Sequence, residues 1–226
     1  MNDVPVICID GPSGVGKGSV ASAVARELGW HVLDSGALYR AVGLAAMRQG
    51  LDESNPTALV ALCQDLALTF KAGERGIEAW LEGVSVDDQL RQDEVSQMAS
   101  RVAAVPKVRA ALLASQRGFR QAPGLVADGR DMGTVVFADA PLKFFLDAAA
   151  EERARRRYKQ LIDKGENVIF DRLCQEITER DRRDRERDVS PTVPAGDAVI
   201  IDSTHMGLDE VVAAVMQHIA QARGSF

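Results

Sequence analysis

The stretch Val4 to Ser19, VPVICIDGPSGVGKGS, restricts the fold of this chain more than any other. Val4, Val6, Ile7, Cys8 and Ile9 form an apolar, β-prone run into Asp10. A glycine-rich loop with one lysine follows, and then a helical pattern with Val20, Val24 and Leu28 on one face. That order is strand, loop, helix. A continuous apolar strand without polar alternation suits a parallel sheet covered on both faces. Gly11, Gly14, Gly16 and Gly18 remove Cβ atoms where backbone N–H groups must converge on a ligand. The following helix adds its unpaired N-terminal amides and the positive end of its dipole, and Lys17 adds a full charge. The expected guest is a polyphosphate.

The spacing from Gly11 to Gly16-Lys17 meets the first part of the P-loop pattern G-x-x-x-x-G-K-S/T, but Gly18 follows the lysine and the hydroxyl arrives one place later, at Ser19. In the ordinary pattern the hydroxyl next to the lysine holds Mg²⁺. A Lys-Gly-Ser ending resembles the variant found in nucleoside monophosphate kinases. The plain alternative, a glycine-rich turn between strand and helix, does not account for four glycines and a lysine between those elements.

A chain of 226 residues holds one substantial α/β domain with room for an inserted subdomain. Its formal net charge of -6 argues against general nucleic-acid binding, which needs a basic footprint. Cys8, Cys63 and Cys174 are odd in number and widely spaced, so disulfide and zinc readings are both poor and a reducing cytoplasm is expected. The start, MNDVPVICIDG, has neither a basic region nor a long apolar segment, and no later run approaches membrane-spanning length. No membrane contact is expected, and no exposed apolar repeat points to an assembly, so a monomer is expected.

After the first helix, Trp30 to Leu33 reads as a second strand ending at Asp34-Ser35-Gly36, with a helix from Ala37 to about Met47. Asp34 or Ser35 can cap that helix, yet a strand-to-helix junction lies at the carboxyl edge of a parallel sheet, where ligands bind, and Arg40 is one turn away. A helix with Leu59, Leu62 and Leu66 on a face follows Asn55. Leu68–Lys71, Gly76–Leu81 and Val84–Val86 then read as an antiparallel meander with turns at Ala72-Gly73-Glu74 and Glu82-Gly83. Helices are expected over Asp93–Val105 and from Pro106 to about Gln121. Residues 52–105 are read as an insertion that extends a wall of the substrate cleft, leaving a core of 1–51 and 106–226.

Gly124–Ala127 is the third core strand and runs into Asp128-Gly129-Arg130-Asp131-Met132-Gly133. An acidic residue ending such a strand is a candidate for Mg²⁺, directly or through water, which gives Asp128 a Walker-B-like role beside the plainer one of turn residue. Leu142–Asp147 and Ala198–Asp202 supply the fourth and fifth strands, and Leu208–Ala222 is a closing helix. The expected fold is a five-stranded parallel sheet with helices on both faces.

Between the last two strands, Glu151 to Asp188 carries arginines at 153, 155, 156, 157, 172, 180, 182, 183, 185 and 187 among carboxylates. Helical i,i+4 ion pairs account for about half of them. The rest suit neutralisation of a triphosphate, because guanidinium groups grip phosphate oxygens bidentately. With a turn at Lys164-Gly165-Glu166-Asn167, residues 151–188 read as a lid that carries arginines over the phosphates and expels water. A phosphate loop, a metal carboxylate and an arginine cover suffice for phosphoryl transfer, which depends on alignment and charge. No base is evident, and His31, His205 and His218 are scattered. An acceptor that is itself a phosphate needs none, since its second pKa is near ~6.

The segments GPSGVGKGS, HVLDSGALYR, VPKVRAALLASQR, VADGRDMGTVVF and ERDRRDRERDVSP together resemble those of bacterial cytidylate kinases, over nearly the whole chain. The resemblance implies transfer from ATP to CMP or dCMP with Mg²⁺. By motif position it implies ATP binding by Gly11, Pro12, Ser13, Gly14, Val15, Gly16, Lys17, Gly18, Ser19 and Arg157, and Mg²⁺ at Asp128 and Ser19. It gives the acceptor's sugar and phosphate to Ser35, Arg40 and Arg130, and the cytosine to Ser100, Arg109 and Asp131. Arg180, Asp184 and Arg187 would meet the ribose or the transferring phosphates, so that Lys17, Arg130, Arg180, Asp184 and Arg187 carry the catalysis. Ser19 and Val15 stand where threonine and alanine are more usual, both mild departures. Cytosine offers a donor at N4 and acceptors at N3 and O2, and uracil would set its O4 against the Asp131 carboxylate. Three rivals are weaker. Another kinase of the same core would differ only in substrate. A GTPase-like switch lacks an N-K-x-D sequence here, and an RNA-binding module lacks stacking aromatics.

Overall fold

A computed structural model describes residues 4–222 apart from 65, 67, 75, 82 and 164. Of the positions quoted above, Met1, Asn2, Asp3, Glu82 and Lys164 lie outside the described residues. Strand β1 (Val6–Asp10) leads into helix α1 (Lys17–Leu28), β2 (His31–Asp34) and α2 (Ser35–Arg48). Next come α3 (Pro56–Gln64), the strands β3 (Leu68–Gly73), β4 (Gly76–Leu81) and β5 (Val84–Ser85), a single turn α4 (Asp87–Leu90), α5 (Asp93–Val102) and α6 (Pro106–Gly118). Then follow β6 (Leu125–Asp128), a π-helical turn Met132–Val136, β7 (Leu142–Asp147), α7 (Ala150–Asp163), α8 (Phe170–Glu186), β8 (Val199–Asp202) and α9 (Leu208–Ala222).

The large sheet has the order β2-β6-β1-β7-β8, all parallel. Its centre is buried on both faces, as the unalternating sequence of β1 requires: Val6 and Cys8 pack with α2, α5 and α6 residues such as Leu38, Met98 and Leu112. Ile7 and Ile9 pack with Val20 and Val24 of α1 and with Val215 of α9. Every strand of this sheet ends on an aspartate: Asp10, Asp34, Asp128, Asp147 and Asp202. The register sets Asp34 beside Asp128, with Ile9, the residue before Asp10, on the far side of Asp128. The carboxyl edge is therefore a row of acceptors, each answered by an amide or a cation.

The antiparallel meander forms as expected, β3-β4-β5, and it packs against α1. Phe70, Ala72 and Ile77 join the core around Val20 and Val24, and Ser22 Oγ of α1 hydrogen-bonds the carbonyls of Gly73 and Gly76 at 2.7 and 3.1 Å. Four local expectations are corrected: Leu66 lies past the end of α3 at Gln64, β3 runs on through Ala72 and Gly73 where a turn is expected, and two helices end early. The helix from Asp93 stops at Val102, three residues short, because Pro106 disfavours helical backbone at Val105, which is extended (φ -79°, ψ 114°). The helix from Pro106 ends at Gly118 rather than near Gln121. Neither α4 nor the π-turn was foreseen. The π-turn depends on a distant partner: Asp10 accepts from the amides of Met132 and Gly133 at 2.9 and 2.8 Å.

Candidate active site

The loop between β1 and α1 is positioned by two glycines whose backbone no other residue adopts readily. Gly11 has φ 145°, and a Cβ there would lie 2.0 Å from the Leu146 carbonyl oxygen; Gly16 has φ 98° and precedes the first turn of α1. Val15 is buried in the core, so this member of the expected ATP set can contribute only its backbone. Pro12 has no amide to give, but its carbonyl accepts from Lys17 Nζ at 2.7 Å. Lys17 also lies 4.0 Å from Asp128 Oδ1. Burial, and next the nearby Arg130, lower the Lys17 pKa to about 7, while burial raises that of Asp128 to about 6 against the pull of Lys17.

A cavity of about 320 Å³ lies over this loop. Of the residues expected from sequence, Gly11, Pro12 and Val15 do not line it. All the others do: Ser13, Gly14, Gly16 to Ser19, Ser35, Arg40, Ser100, Arg109, Asp128, Arg130, Asp131, Arg157, Arg180, Asp184 and Arg187. Residues from seven separate segments thus meet in one space. A wider cavity of about 1290 Å³ adjoins it between α5 and α8 and shares Ser13, Gly14, Asp93, Ser96, Ser100, Arg157 and Arg180 with it. The residues expected from sequence converge in the smaller cavity.

Positive charge is in excess there. Arg130 Nε donates to Asp184 Oδ2 at 3.2 Å. Burial acts to raise the Asp184 pKa, but Arg130 and Arg180 outweigh it and hold the carboxyl below its usual range. Burial and Arg130 bring Arg180 down to about 10, and burial and Arg109 lower Arg187. The buried Arg180 Nε, Arg187 Nη2, Arg40 Nε and Arg109 Nε have no acceptor among the described residues. Orphaned donors on crowded cations ask for an anion with several oxygens. At the far end Arg109 donates to Asp131 in a buried pair, with its guanidinium 5.4 Å from the Tyr39 ring centroid.

Three pairings sort the remaining expectations. Asp34 caps α2, accepting from Ala37 N at 2.9 Å, and also accepts from Arg40 Nη2 at 2.5 Å; both Asp34 and Ser35 line the cavity. Arg157 donates to Asp93 Oδ1 on α5 at 2.7 Å, and Arg183 to Ser100 Oγ at 3.0 Å. Arg155, Arg172 and Arg182 make the expected exposed i,i+3 and i,i+4 pairs. Arg153 is instead a buried strut, pairing with Asp181 and donating to the Ser13 carbonyl at 2.8 Å, so the root of α7 and α8 is tied to the phosphate loop. Sequence reasoning missed Tyr39, Asp93, Ser96 and Gln160 among the lining residues. Tyr39 adjoins Arg40 and sits one turn after Ser35, a usable signal; the others had none.

Among the described residues no group of three His, Cys, Asp or Glu side chains could cage a metal. Asp128 and Ser19 nevertheless suit Mg²⁺. They are hard oxygen donors lining one cavity, and a Cβ at Gly18 would lie 3.3 Å from Asp128 Oδ2, so that carboxylate abuts the loop where Ser19 begins. Mg²⁺ is commonly held by one or two protein oxygens, with water and phosphate completing the shell.

Residues 7–221 match the family model described as cytidylate kinase. The chain is 54% identical over 220 residues to the cytidylate kinase of Aeromonas salmonicida, covering 97% of this chain and 96% of that one. It is 53% identical over 216 residues to that of Klebsiella pneumoniae, covering 96% and 95%. Among solved structures, an uncharacterised protein from Eubacterium ventriosum aligns over 96% of this chain and 98% of its own, with a TM-score of 0.51 at 13% identity, a likeness of fold alone. The family model and these relatives lead to one conclusion: this chain belongs to the cytidylate kinase family.

Proposed function

We propose that the chain transfers the γ-phosphoryl group of ATP to CMP or dCMP, giving ADP and CDP or dCDP, by direct in-line displacement. The observation that carries this reading is the single cavity in which a phosphate loop, a cluster of under-partnered arginines and a buried Arg109–Asp131 pair face one another. The loop amides of residues 11 and 13–19 and Lys17 hold the donor's phosphates, with Arg157 joining them once it leaves Asp93. Mg²⁺ at Asp128 and Ser19, directly or through water, neutralises charge on the donor phosphates when bound.

Ser35, Arg40 and Arg130 take the acceptor's sugar and phosphate. Arg130, Arg180 and Arg187 lie between donor and acceptor, where charge spreads over the transferring group; Asp184 fixes Arg130 through their hydrogen bond. The acceptor phosphate is largely a dianion at neutral pH, so no side chain need remove a proton. Asp131 accepts from cytosine N4, and Arg109 and Ser100 donate to its acceptors. Residues 52–105 act as the monophosphate-binding insertion on the core of 1–51 and 106–226, and 151–188 close as a lid that excludes water. The enzyme works in this reading as a cytoplasmic monomer on ATP and CMP or dCMP.

Release of ADP measured with CMP, dCMP, UMP, AMP and GMP tests the reading. CMP and dCMP should far exceed the rest, and equal turnover of UMP or AMP overturns the assignment of the base pocket.

A further inference from the structure

Ser100 lies within α5, where a serine commonly turns its hydroxyl proton back to the carbonyl four residues earlier. Here its oxygen accepts from Arg183 Nη1 at 3.0 Å. Ser100 is 6% exposed and lines both cavities, whereas Arg183 lines only the outer one, behind the position given to the base. A hydroxyl has one proton to donate and two lone pairs. With a guanidinium holding a lone pair from the α8 side, the proton is directed away from α8, towards the space shared with Arg109 and Asp131. A charged donor on the oxygen also polarises the O–H bond and strengthens what it donates.

We infer that Arg183 is a positioning residue for base selection, setting Ser100 as a hydrogen-bond donor to the acceptor edge of cytosine. This rests on the proposed reading of the cavity, in which Ser100 faces the base. Cytosine presents acceptors at both N3 and O2, while uracil replaces the N3 acceptor with N–H. A serine held as donor favours the first base, whereas a freely turning serine serves either one. Arg183 therefore acts on discrimination through another residue, without touching the substrate. Because it lies on α8, the same contact links selection of the base to the segment proposed as a lid.

The experiment compares kcat and KM for CMP and UMP in the wild type and in Arg183→Met, Arg183→Lys, Ser100→Ala and the Arg183→Met/Ser100→Ala double variant, with melting temperatures as a check on folding. Arg183→Met should lower kcat/KM for CMP about tenfold, chiefly through KM, with kcat/KM for UMP and KM for ATP within about twofold. Arg183→Lys, which keeps a charged donor, should recover much of the loss. Adding Arg183→Met to Ser100→Ala should cost nothing further. Equal losses for CMP and UMP, or an additive double variant, overturn the inference while leaving the cavity's function intact. If Ser100→Ala itself leaves the CMP-to-UMP ratio unchanged, the assignment of Ser100 to the base fails and the role of Arg183 falls with it.

Discussion

The two ends of the cavity are made from different materials. The end proposed for ATP is mostly backbone, one contiguous loop between β1 and α1, fixed by the sheet on one side and by the β3-β4 hairpin packed on α1. The end proposed for CMP is mostly side chain, gathered from α2, α5, α6, the segment after β6 and α8. Backbone amides bind any anion of the right size and cannot be altered one by one. Side chains on separate elements can be exchanged singly, so selectivity among monophosphates belongs at that end.

The largest effect should come from the one side chain on which the backbone end depends. Lys17→Ala is expected to reduce kcat by about 10²–10³-fold in single-turnover assays with little change in far-ultraviolet circular dichroism. An active variant would break the contrast, because the amides alone would then suffice. Next, Asp131→Asn should lower kcat/KM for CMP by about 10²-fold with KM for ATP within about twofold. Asp131→Ala should do at least as much, but it also strands the buried Arg109 and should destabilise the fold. Equal losses for both substrates would remove the base-reading role.

A third prediction concerns the point where the two ends join. Asp10 ends β1 and holds the amides of the π-turn that follows Asp131. Burial raises its pKa to about 7 despite those two hydrogen bonds. The folded state then keeps a proton that the unfolded chain, at its ordinary 3.8, has already lost, so stability should fall as pH rises from about 4 through 7. Asp10→Asn should be less stable at pH 5, where one amide loses its acceptor, and its melting temperature should vary less with pH over that range. A slope matching the wild type would show that Asp10 is not the titrating group. The smallest effect is expected at Asp93, partly exposed and paired with Arg157. Asp93→Asn should free Arg157 and lower KM for ATP about twofold, since such pairs contribute little. A rise in KM would mean that Asp93 helps to place Arg157 rather than withholding it.

The same contrast explains what the sequence discloses. Strand, glycine loop and Lys17 are consecutive, so their chemistry is legible in sixteen letters, and the five core strands follow from short apolar runs ending in aspartate. The acceptor end is not consecutive. Nothing local in Ser100, Arg109 and Asp131 shows that they share a pocket; the family resemblance of the chain implies it, and the structure adds that all three line one cavity. Arg153 shows the limit most clearly. It stands in the run EERARRRYK beside Arg155, Arg156 and Arg157, and only the fold distinguishes the buried strut from its exposed or half-buried neighbours. The π-turn was invisible because its stabilising carboxylate is 122 residues away.

The tight passage of Gly11 beneath the carbonyl of Leu146 bears on how the enzyme could be inhibited. Any side chain there would force β1 and β7 apart, so point mutation cannot reshape that bend and leave the sheet standing. A compound drawing its affinity from the neighbouring main-chain amides would therefore have few routes to resistance, whereas one gripping the changeable arginines opposite would have many.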